Sequence, residues 1–307
     1  MTGPRVERVA GMPASVRVYE VGPRDGLQAE SDTIPTEVKV ELCRRLYAVG
    51  LRDIELTSFV PPTWVPQLAD AARVARDVIV PDGARGIALV PNERGLVRAL
   101  DAGVREVAVV VSATESFARA NLNATRDEAL ARAIAVIDAS PVPVRGYISM
   151  AFGDPWEGEV SPVVVRDLAA ALHQAGARTI APGDTIGVST PGFTARVIGE
   201  VASVVPINRL ALHLHDTYGQ ALANVLEALR LGVAEFDASV GGLGRCPYAK
   251  GATGNLATED LVWMLDGLGI STGIDLDALA QTTAWLSAIR GVAAPSAVAR
   301  ALAAGRG

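Results

Sequence analysis

Residues 16–21 of the chain read Val-Arg-Val-Tyr-Glu-Val, and residues 36–50 read Thr-Glu-Val-Lys-Val-Glu-Leu-Cys-Arg-Arg-Leu-Tyr-Ala-Val-Gly. The first stretch is rich in β-branched residues and predicts a strand. In the second stretch, apolar residues such as Leu42 and Leu46 recur at helical spacing, and Gly50 predicts the end of the helix. Together the two stretches predict one strand–helix unit.

The same unit recurs along the chain. Strands are predicted at residues 16–21, 53–57, 86–90, 106–111, 144–150, 179–181, 209–215 and 235–240. Helices are predicted at residues 36–49, 67–78, 92–102, 126–139, 161–175, 190–204, 218–231 and 256–268. Most of the strands are near-continuous apolar runs, which is typical of parallel strands buried on both faces.

Eight strands, each followed by a helix, predict an α/β fold of the (β/α)₈ TIM-barrel type over residues 16–271. A doubly wound open sheet is the alternative, and the lack of a break in composition favours closure. Residues 272–307 are rich in alanine and predict extra C-terminal helices that pack on the barrel.

Composition and charge exclude several classes of partner. The chain has 307 residues, of which 50% are apolar, so it can form one large core. Its formal net charge of −6 leaves no basic surface for nucleic acid. No apolar run approaches the roughly 18 residues that a membrane span needs. We therefore expect neither nucleic acid nor a membrane as a partner.

Cysteine usage and the first residues bear on the cellular compartment. Cys43 and Cys246 are the only cysteines, which indicates no disulfide framework and fits a reducing compartment. Residues 1–15 lack an apolar segment, and Glu7 argues against a transit peptide. These features predict a cytoplasmic protein.

Polar residues collect where the predicted strands end. Arg24 and Asp25 follow the first strand, Glu55 lies in the second, and His213 and His215 close the seventh. In a TIM barrel the active site lies at the carboxyl ends of the strands. These five side chains are therefore candidates for one site.

Binding of a metal ion is the simplest explanation for two histidines at positions 213 and 215. At i, i+2 in a strand, His213 and His215 point to the same face and suit paired ligation. With Asp25 they favour a hard cation, Mg²⁺ or Mn²⁺. The alternatives are two hydrogen-bonded, partly buried histidines, and an ion pair between Arg24 and Asp25 that closes the barrel.

A glycine-rich loop at residues 241–251 contains Cys246. A lone cysteine is more often a small apolar filler, and Cys43, in a predicted helix, keeps that interpretation. The glycines favour a loop that swings over the site and carries the Cys246 thiol with it. Arg245 or a metal ion nearby would favour the thiolate.

Five stretches carry a resemblance to a known family. They are Glu-Val-Gly-Pro-Arg-Asp-Gly-Leu-Gln at 20–28, Glu-Leu-Thr-Ser-Phe at 55–59, His-Leu-His-Asp-Thr-Tyr-Gly-Gln-Ala-Leu-Ala-Asn at 213–224, Gly-Leu-Gly-Arg-Cys-Pro-Tyr at 242–248 and Gly-Asn-Leu-Ala-Thr-Glu-Asp at 254–260. In these stretches the chain resembles the hydroxymethylglutaryl-CoA lyases, within the metal-dependent TIM-barrel lyases and synthases that share a D-R-E site. The resemblance covers residues 16–268. Related synthases typically have Asn-Asp after the second histidine and lack the cysteine loop, so Asp216 and Cys246 favour the lyases.

The resemblance implies a ligand set and a reaction. A divalent cation, Mg²⁺ or Mn²⁺, would be held by Asp25, His213, His215 and Asn255. The reaction would be a retro-Claisen cleavage of 3-hydroxy-3-methylglutaryl-CoA, or of a close 3-hydroxyacyl-CoA, to acetyl-CoA and acetoacetate. A place in leucine degradation and a homodimeric assembly are also implied.

The resemblance further implies catalytic roles. Arg24 would stabilise the thioester enolate, Glu55 would support the site, and Cys246 would transfer a proton. The residues expected to be catalytic are Arg24, Asp25, Glu55, His213 and Cys246.

The chain departs from the family pattern at a few positions. Arg245 replaces the usual glycine before the cysteine, Lys250 stands where a neutral residue is common, and Ala181-Pro182 replaces a Ser-Leu pair. We expect Arg245 and Lys250 to contact the CoA thioester, and Ala181 to relax selection for the methylglutaryl group. The alternative is that the charges of Arg245 and Lys250 face solvent and contact no substrate.

Two competing functions remain open. An acetyl-CoA-dependent synthase or a pyruvate-type aldolase of the same superfamily is the enzymatic alternative. A non-catalytic protein that binds CoA thioesters is the other, and the intact Asp25 and histidines argue against it.

Overall fold

The computed structural model describes residues 3–244 and 254–305. Within them, parallel strands form a closed barrel in which each strand pairs with the next and β8 pairs with β1. The strands are β1 Arg17–Glu20, β2 Asp53–Ser58, β3 Arg85–Leu89, β4 Glu106–Ser112, β5 Val144–Ser149, β6 Thr179–Asp184, β7 Leu212–Leu214 and β8 Glu235–Ala238. The predicted (β/α)₈ barrel is confirmed.

Helices surround the barrel in the described part of the chain. They are α1 Thr36–Ala48, α2 Ala71–Asp77, α3 Glu93–Asp101, α4 Glu115–Phe117, α5 Arg126–Ala139, α6 Pro162–Gln174, α7 Pro191–Ala202, α8 Ala221–Arg230, α9 Thr258–Gly267, α10 Leu276–Arg290 and α11 Ala297–Ala304. All of the described helices are too short or too polar to cross a membrane.

Local sequence explains where several helices begin and end. The Asn92 side chain accepts a hydrogen bond from the Gly95 amide at the start of α3, and Thr125 with Glu128 forms a capping box at the start of α5. Gly50 follows α1 with a φ of 105°. A Cβ atom there would lie 2.1 Å from a carbonyl oxygen of Gly273, so only glycine fits.

Three predicted elements differ in extent from those observed. The helix expected at residues 67–78 is a 3₁₀ turn, Pro66–Leu68, followed by α2. The strand expected at residues 209–215 is shorter because Ile207–Arg209 forms a 3₁₀ turn before β7. In contrast, β6 continues through Pro182, which pairs with Ile148 of β5. Towards β7, the missing proline N–H falls in a gap of the ladder, between the Ile180–Leu210 bridge and the Gly183–His213 pair.

The two C-terminal helices pack on one side of the barrel. Helix α10 contacts α1 and α9, and α11 contacts α9 and α10. These contacts show how the C-terminal helices pack, and the division into a barrel at residues 16–271 and a helical extension at residues 272–307 remains a proposal.

Candidate active site

The chain turns sharply after β1 and brings Arg24 and Asp25 to the carboxyl end of the barrel. Gly22–Gly26 forms a single π-helical turn. A Cβ atom at Gly22 would lie 2.6 Å from a Glu20 carboxylate oxygen, and one at Gly26 would lie 2.8 Å from Leu243 Cβ. Both glycines therefore allow a close approach between this turn and its surroundings.

Arg24 is held between two carboxylates. Its Nε donates to Glu55 Oε2 at 2.8 Å, and its Nη1 donates to Asp25 Oδ1 at 2.6 Å. Burial alone would lower the pKa of the guanidinium, but the charges of Glu55 and Asp25 raise the pKa above its usual value. Arg24 is thus a permanent cation in a fixed orientation, as an oxyanion clamp requires.

Asp25 lies beside both histidines of the sequence motif. One potential ligand atom from each of Asp25, His213 and His215 lies within 4.8 Å of the others. Burial alone would raise the pKa of Asp25, but Arg24 and the histidines lower it to about 2. The site therefore offers an ionised carboxylate next to two imidazoles, a donor set that suits a divalent cation.

The two imidazoles differ in their surroundings. His213 Nδ1 lies 3.0 Å from Asp237 Oδ2, and although burial alone would lower the pKa of His213, this carboxylate raises it. Burial and then the neighbouring His213 lower the pKa of His215 to about 4. His215 is therefore neutral near pH 7, with a ring lone pair free to coordinate.

Asn255 completes the cluster. It pairs with His215 in an isolated antiparallel bridge. Its Nδ2 donates to Asp25 Oδ2 at 2.8 Å and to the Leu243 carbonyl oxygen at 3.0 Å. Among the described residues, neither Asn255 Oδ1 nor His215 Nδ1 has a hydrogen-bond partner, although both atoms are buried. Buried acceptors without a hydrogen-bond partner, next to an ionised carboxylate, fit a binding site for a metal ion.

A cavity of about 590 Å³ opens above this cluster. Its floor includes Arg24, Asp25, His213 and His215 together with Ala181 and Tyr147. The loops around the opening contribute apolar side chains, Val60, Pro61, Trp64, Val65, Phe117 and Leu122, and also polar ones, Asn92, Asn121, Asn123 and Arg132. The cavity has the size and the mixed lining of a small-molecule site.

Some predicted site residues cannot be placed. Arg245, Cys246 and Lys250 lie outside the described residues. The loop that contains them starts from a well-defined turn, Val240–Gly242, in which Gly241 has a φ of 66°. Cys43 is fully buried in α1, and burial raises the pKa of its thiol, which suits a structural residue.

Asp237 and Tyr147 contribute to the site without having been assigned a role from sequence. Asp237 accepts the His213 hydrogen bond, and the Tyr147 ring meets the His213 ring edge-on at 5.9 Å. One signal could have revealed Asp237. Glu235 and Asp237 are acidic residues at i, i+2 within an apolar strand, so both must face the barrel lumen.

Glu20 ties the start of the β8 loop to the site. Its carboxylate accepts hydrogen bonds from the backbone amides of Gly22 and Val240 and from the Thr258 hydroxyl. Burial is the dominant effect and raises the pKa of Glu20 from 4.5 to about 7, although these hydrogen bonds oppose it.

We expect protonation of the Glu20 carboxyl to make the free energy of unfolding depend on pH. Because the pKa is raised on folding, the stabilisation is complete below pH 4.5 and is lost as the pH rises through about 7. Between pH 6 and 8 the loss is roughly 1 kcal/mol, or a fall in Tm of about 2 °C. Thermal unfolding of Glu20→Gln should show a smaller fall than the parent. Part of the fall remains because burial also raises the pKa of Glu259 to about 7. The exposed Glu93→Gln should keep the whole fall. Equal slopes for the parent and Glu20→Gln would contradict the expectation.

Comparison with known proteins agrees with this geometry. The HMGL-like family model matches residues 15–286. The mitochondrial hydroxymethylglutaryl-CoA lyase of Arabidopsis thaliana is 52% identical over 88% of this chain, and the match spans 58% of that relative's own length. The chain thus covers less than two thirds of the Arabidopsis protein.

Two Pseudomonas aeruginosa comparisons cover nearly the whole chain. The 3-hydroxy-3-isohexenylglutaryl-CoA/hydroxy-methylglutaryl-CoA lyase is 48% identical over 95% of this chain and 98% of its own length. The crystal structure of a hydroxymethylglutaryl-CoA lyase superposes with a TM-score of 0.94 at 48% identity, covering 96% of this chain and 99% of that one. From its barrel, its ligand cluster and these matches, we conclude that the chain belongs to the hydroxymethylglutaryl-CoA lyase family.

Proposed function

We propose that this chain is a divalent-metal-dependent carbon–carbon lyase that cleaves 3-hydroxy-3-methylglutaryl-CoA, or a close 3-hydroxyacyl-CoA, to acetyl-CoA and acetoacetate. The observation that supports it most is the cluster of Asp25, His213 and His215 on the floor of a cavity that also contains Arg24. Retro-Claisen cleavage needs a Lewis acid, a base and an oxyanion clamp. The cluster and its surroundings offer candidates for each.

The metal ligands would be Asp25, His213, His215 and Asn255. When bound, the cation would supply Lewis acidity that makes the tertiary 3-hydroxyl of the substrate easier to deprotonate. The carboxylate, imidazole and amide donors suit Mg²⁺ or Mn²⁺. The unpartnered Asn255 Oδ1 and the neutral His215 support this assignment.

The remaining chemistry falls to side chains around the cluster. Arg24, fixed by Glu55, stabilises the enolate oxygen of the departing acetyl-CoA through its charge. Asp25 would take the hydroxyl proton, while His213, with Nδ1 directed to Asp237, would act as a ligand through Nε2. Cys246, on the loop after β8, returns a proton to the enolate carbon, and Arg245 and Lys250 contact the CoA moiety.

The products distinguish this reaction from the synthase alternative. Purified protein is incubated with 3-hydroxy-3-methylglutaryl-CoA, and acetyl-CoA, acetoacetate and free thiol are measured. A lyase forms acetyl-CoA and acetoacetate in equal amounts with no free thiol. A synthase would instead release free CoA when supplied with acetyl-CoA and an oxo-acid, and that result would overturn the proposal.

A broader substrate range is a second candidate, and one observation favours it. Ala181 lies fully buried in β6 opposite Tyr147 and lines the cavity, where it offers no hydroxyl. The loops after β2 and β4 add apolar side chains such as Trp64 and Phe117 to the lining of the same cavity. The site therefore lacks one donor for a distal carboxylate and offers room for a larger 3-substituent. One Pseudomonas relative is named for a 3-isohexenyl substrate as well as for the methyl one.

We expect the chain to process 3-hydroxyacyl-CoAs with larger 3-substituents. Their kcat/KM should lie within about tenfold of the value for the methyl substrate. The reason is that Ala181 lacks the hydroxyl that would favour the methylglutaryl group, and one such contact is worth about tenfold or more. Ala181→Ser should shift the ratio towards the methyl substrate. If the parent strongly prefers the methyl substrate and Ala181→Ser behaves identically, the substrate range is limited to 3-hydroxy-3-methylglutaryl-CoA.

The assembly, compartment and pathway are also proposals. We propose a homodimer that acts in the cytoplasm in leucine degradation. One relative that is 47% identical over 88% of the chain is a cytoplasmic mouse enzyme. Light scattering on the purified protein tests the dimer, and a monomeric mass would reject it.

A further inference from the structure

The barrel lumen contains a buried arginine that the proposed reaction does not use. Arg145, the second residue of β5, is 2% exposed. Its two terminal nitrogens donate to Glu235 and Asp237 of β8. Because β5 and β8 are not neighbours in the barrel, the side chain crosses the lumen to reach them.

Asp237 divides its two oxygens between Arg145 and the metal-site histidine. Oδ1 accepts from Arg145, and Oδ2 lies 3.0 Å from His213 Nδ1. An ionised carboxylate can only accept, so the proton of the imidazole must be on Nδ1. Nε2 is then left with a lone pair for the cation, the arrangement by which outer partners orient metal-ligating histidines.

Two aromatic rings hold Arg145 in place. Its guanidinium lies 4.1 Å from the centroid of the Tyr19 ring and 5.1 Å from that of the Tyr147 ring. The Tyr147 ring in turn packs edge-on against His213 at 5.9 Å. Arg145 therefore reaches His213 by two routes, one through Asp237 and one through Tyr147.

We propose that Arg145 is a positioning residue for the metal site, acting through Asp237 to hold His213 in its coordinating orientation and tautomer. This inference rests on the proposed metal-dependent function. Without Arg145, the buried Asp237 would lose its cationic partner, whereas Glu235 would keep its ion pair with Arg17. Asp237 would lose the donor that fixes its Oδ1, so its carboxylate could rotate and would no longer hold the His213 ring in one orientation.

A matched variant separates positioning from general stability. Arg85 pairs with Asp53 and with Glu106 at 2.7 Å. Within the described residues it is linked to Arg145 only indirectly, because Arg17 pairs with both Asp53 and Glu235. No described contact joins Arg85 to His213 or Asp237. Arg145→Met and Arg85→Met each remove one arginine that pairs with carboxylates. Only Arg145→Met disturbs the proposed link from Arg145 through Asp237 to His213.

The readout is Mn²⁺ binding to metal-free protein, measured by electron paramagnetic resonance. Arg145→Met should raise the Kd for Mn²⁺ by about 10- to 100-fold, the usual effect of losing an outer partner of a ligand. Arg85→Met should change the Kd by less than about threefold, even if its Tm falls. Equal Kd values for the parent and Arg145→Met would overturn the inference.

A double-mutant cycle tests the route through Asp237. Asp237→Asn should weaken Mn²⁺ binding, and adding Arg145→Met should weaken it little further. Fully additive losses would contradict a shared route. If Arg145→Met does not fold, Arg145→Lys replaces it and should bind Mn²⁺ more weakly than the parent. A parent that binds no Mn²⁺ would reject the proposed metal site itself, whereas an unchanged Arg145 variant in a metal-binding parent rejects only the positioning role.

Discussion

Removal of the divalent cation is expected to abolish formation of acetyl-CoA from 3-hydroxy-3-methylglutaryl-CoA, and Mg²⁺ or Mn²⁺ is expected to restore it. The reason lies in the donors around Asp25. Its carboxylate has a pKa of about 2 and is ionised at any working pH, and the neighbouring His215 is neutral. Without a Lewis acid at this position, the tertiary hydroxyl keeps its proton and the C2–C3 bond does not break.

A ligand variant gives the same result without a chelator. His215→Ala removes one proposed ligand and should lower kcat by about 10³-fold or more, which corresponds to the several kcal/mol that a metal ion contributes. His173→Ala is the matched control, because His173 lies in α6 and outside the cavity. Activity is measured with the metal content determined on the same sample. Full activity in a verified metal-free preparation would refute the proposed role of the cation.

Cys246→Ala is expected to lower kcat by about 10²- to 10⁴-fold, the usual range for a general acid–base group, while Tm stays within about 1 °C of the parent value. The expectation comes from the sequence, since Cys246 lies outside the described residues. Its loop leaves the barrel directly after Val240–Gly242, beside the turn that carries Arg24 and Asp25. Cys246 follows Gly242 by four residues in the sequence, and this short separation is why we expect its thiol at the enolate carbon.

Alkylation provides the control for this second prediction. A thiol reagent should inactivate the parent, bound substrate should slow the loss, and the residual activity of Cys246→Ala should not fall further. Cys43 is buried and should not react. If the parent and Cys246→Ala show equal sensitivity to the reagent, Cys246 is not the proton-transfer group.

Much of the barrel could be predicted from sequence because each strand–helix unit is specified locally. Apolar runs with few polar residues require burial on both faces, and glycines such as Gly50 and Gly176 mark helix ends by their positive φ. The differences lie in the short helical segments Glu115–Phe117 and Ala118–Leu122, which were not predicted, and at the ends of elements. There the pairing with neighbouring strands decides where a strand stops, as Pro182 in β6 illustrates.

The proposed metal ligands could also be suggested from sequence, since His213 and His215 share a face through strand periodicity alone. Asn255 was suggested only through the family resemblance. In the structure it approaches Asp25, which is distant in the chain, because β1, β7 and the segment before α9 converge at the barrel mouth. Such an approach depends on barrel closure and has no local signal.

By itself, the sequence determined the strand–helix order, the barrel class and the polar residues that follow the strands, because these depend on periodicity and on residues close in the chain. Only the tertiary structure decided how the charges inside the barrel pair. Arg145 and Asp237 come from strands on different sides of the lumen. Neither strand alone shows that the two buried charges will pair. This pairing connects Arg145, through Asp237, to the proposed metal site.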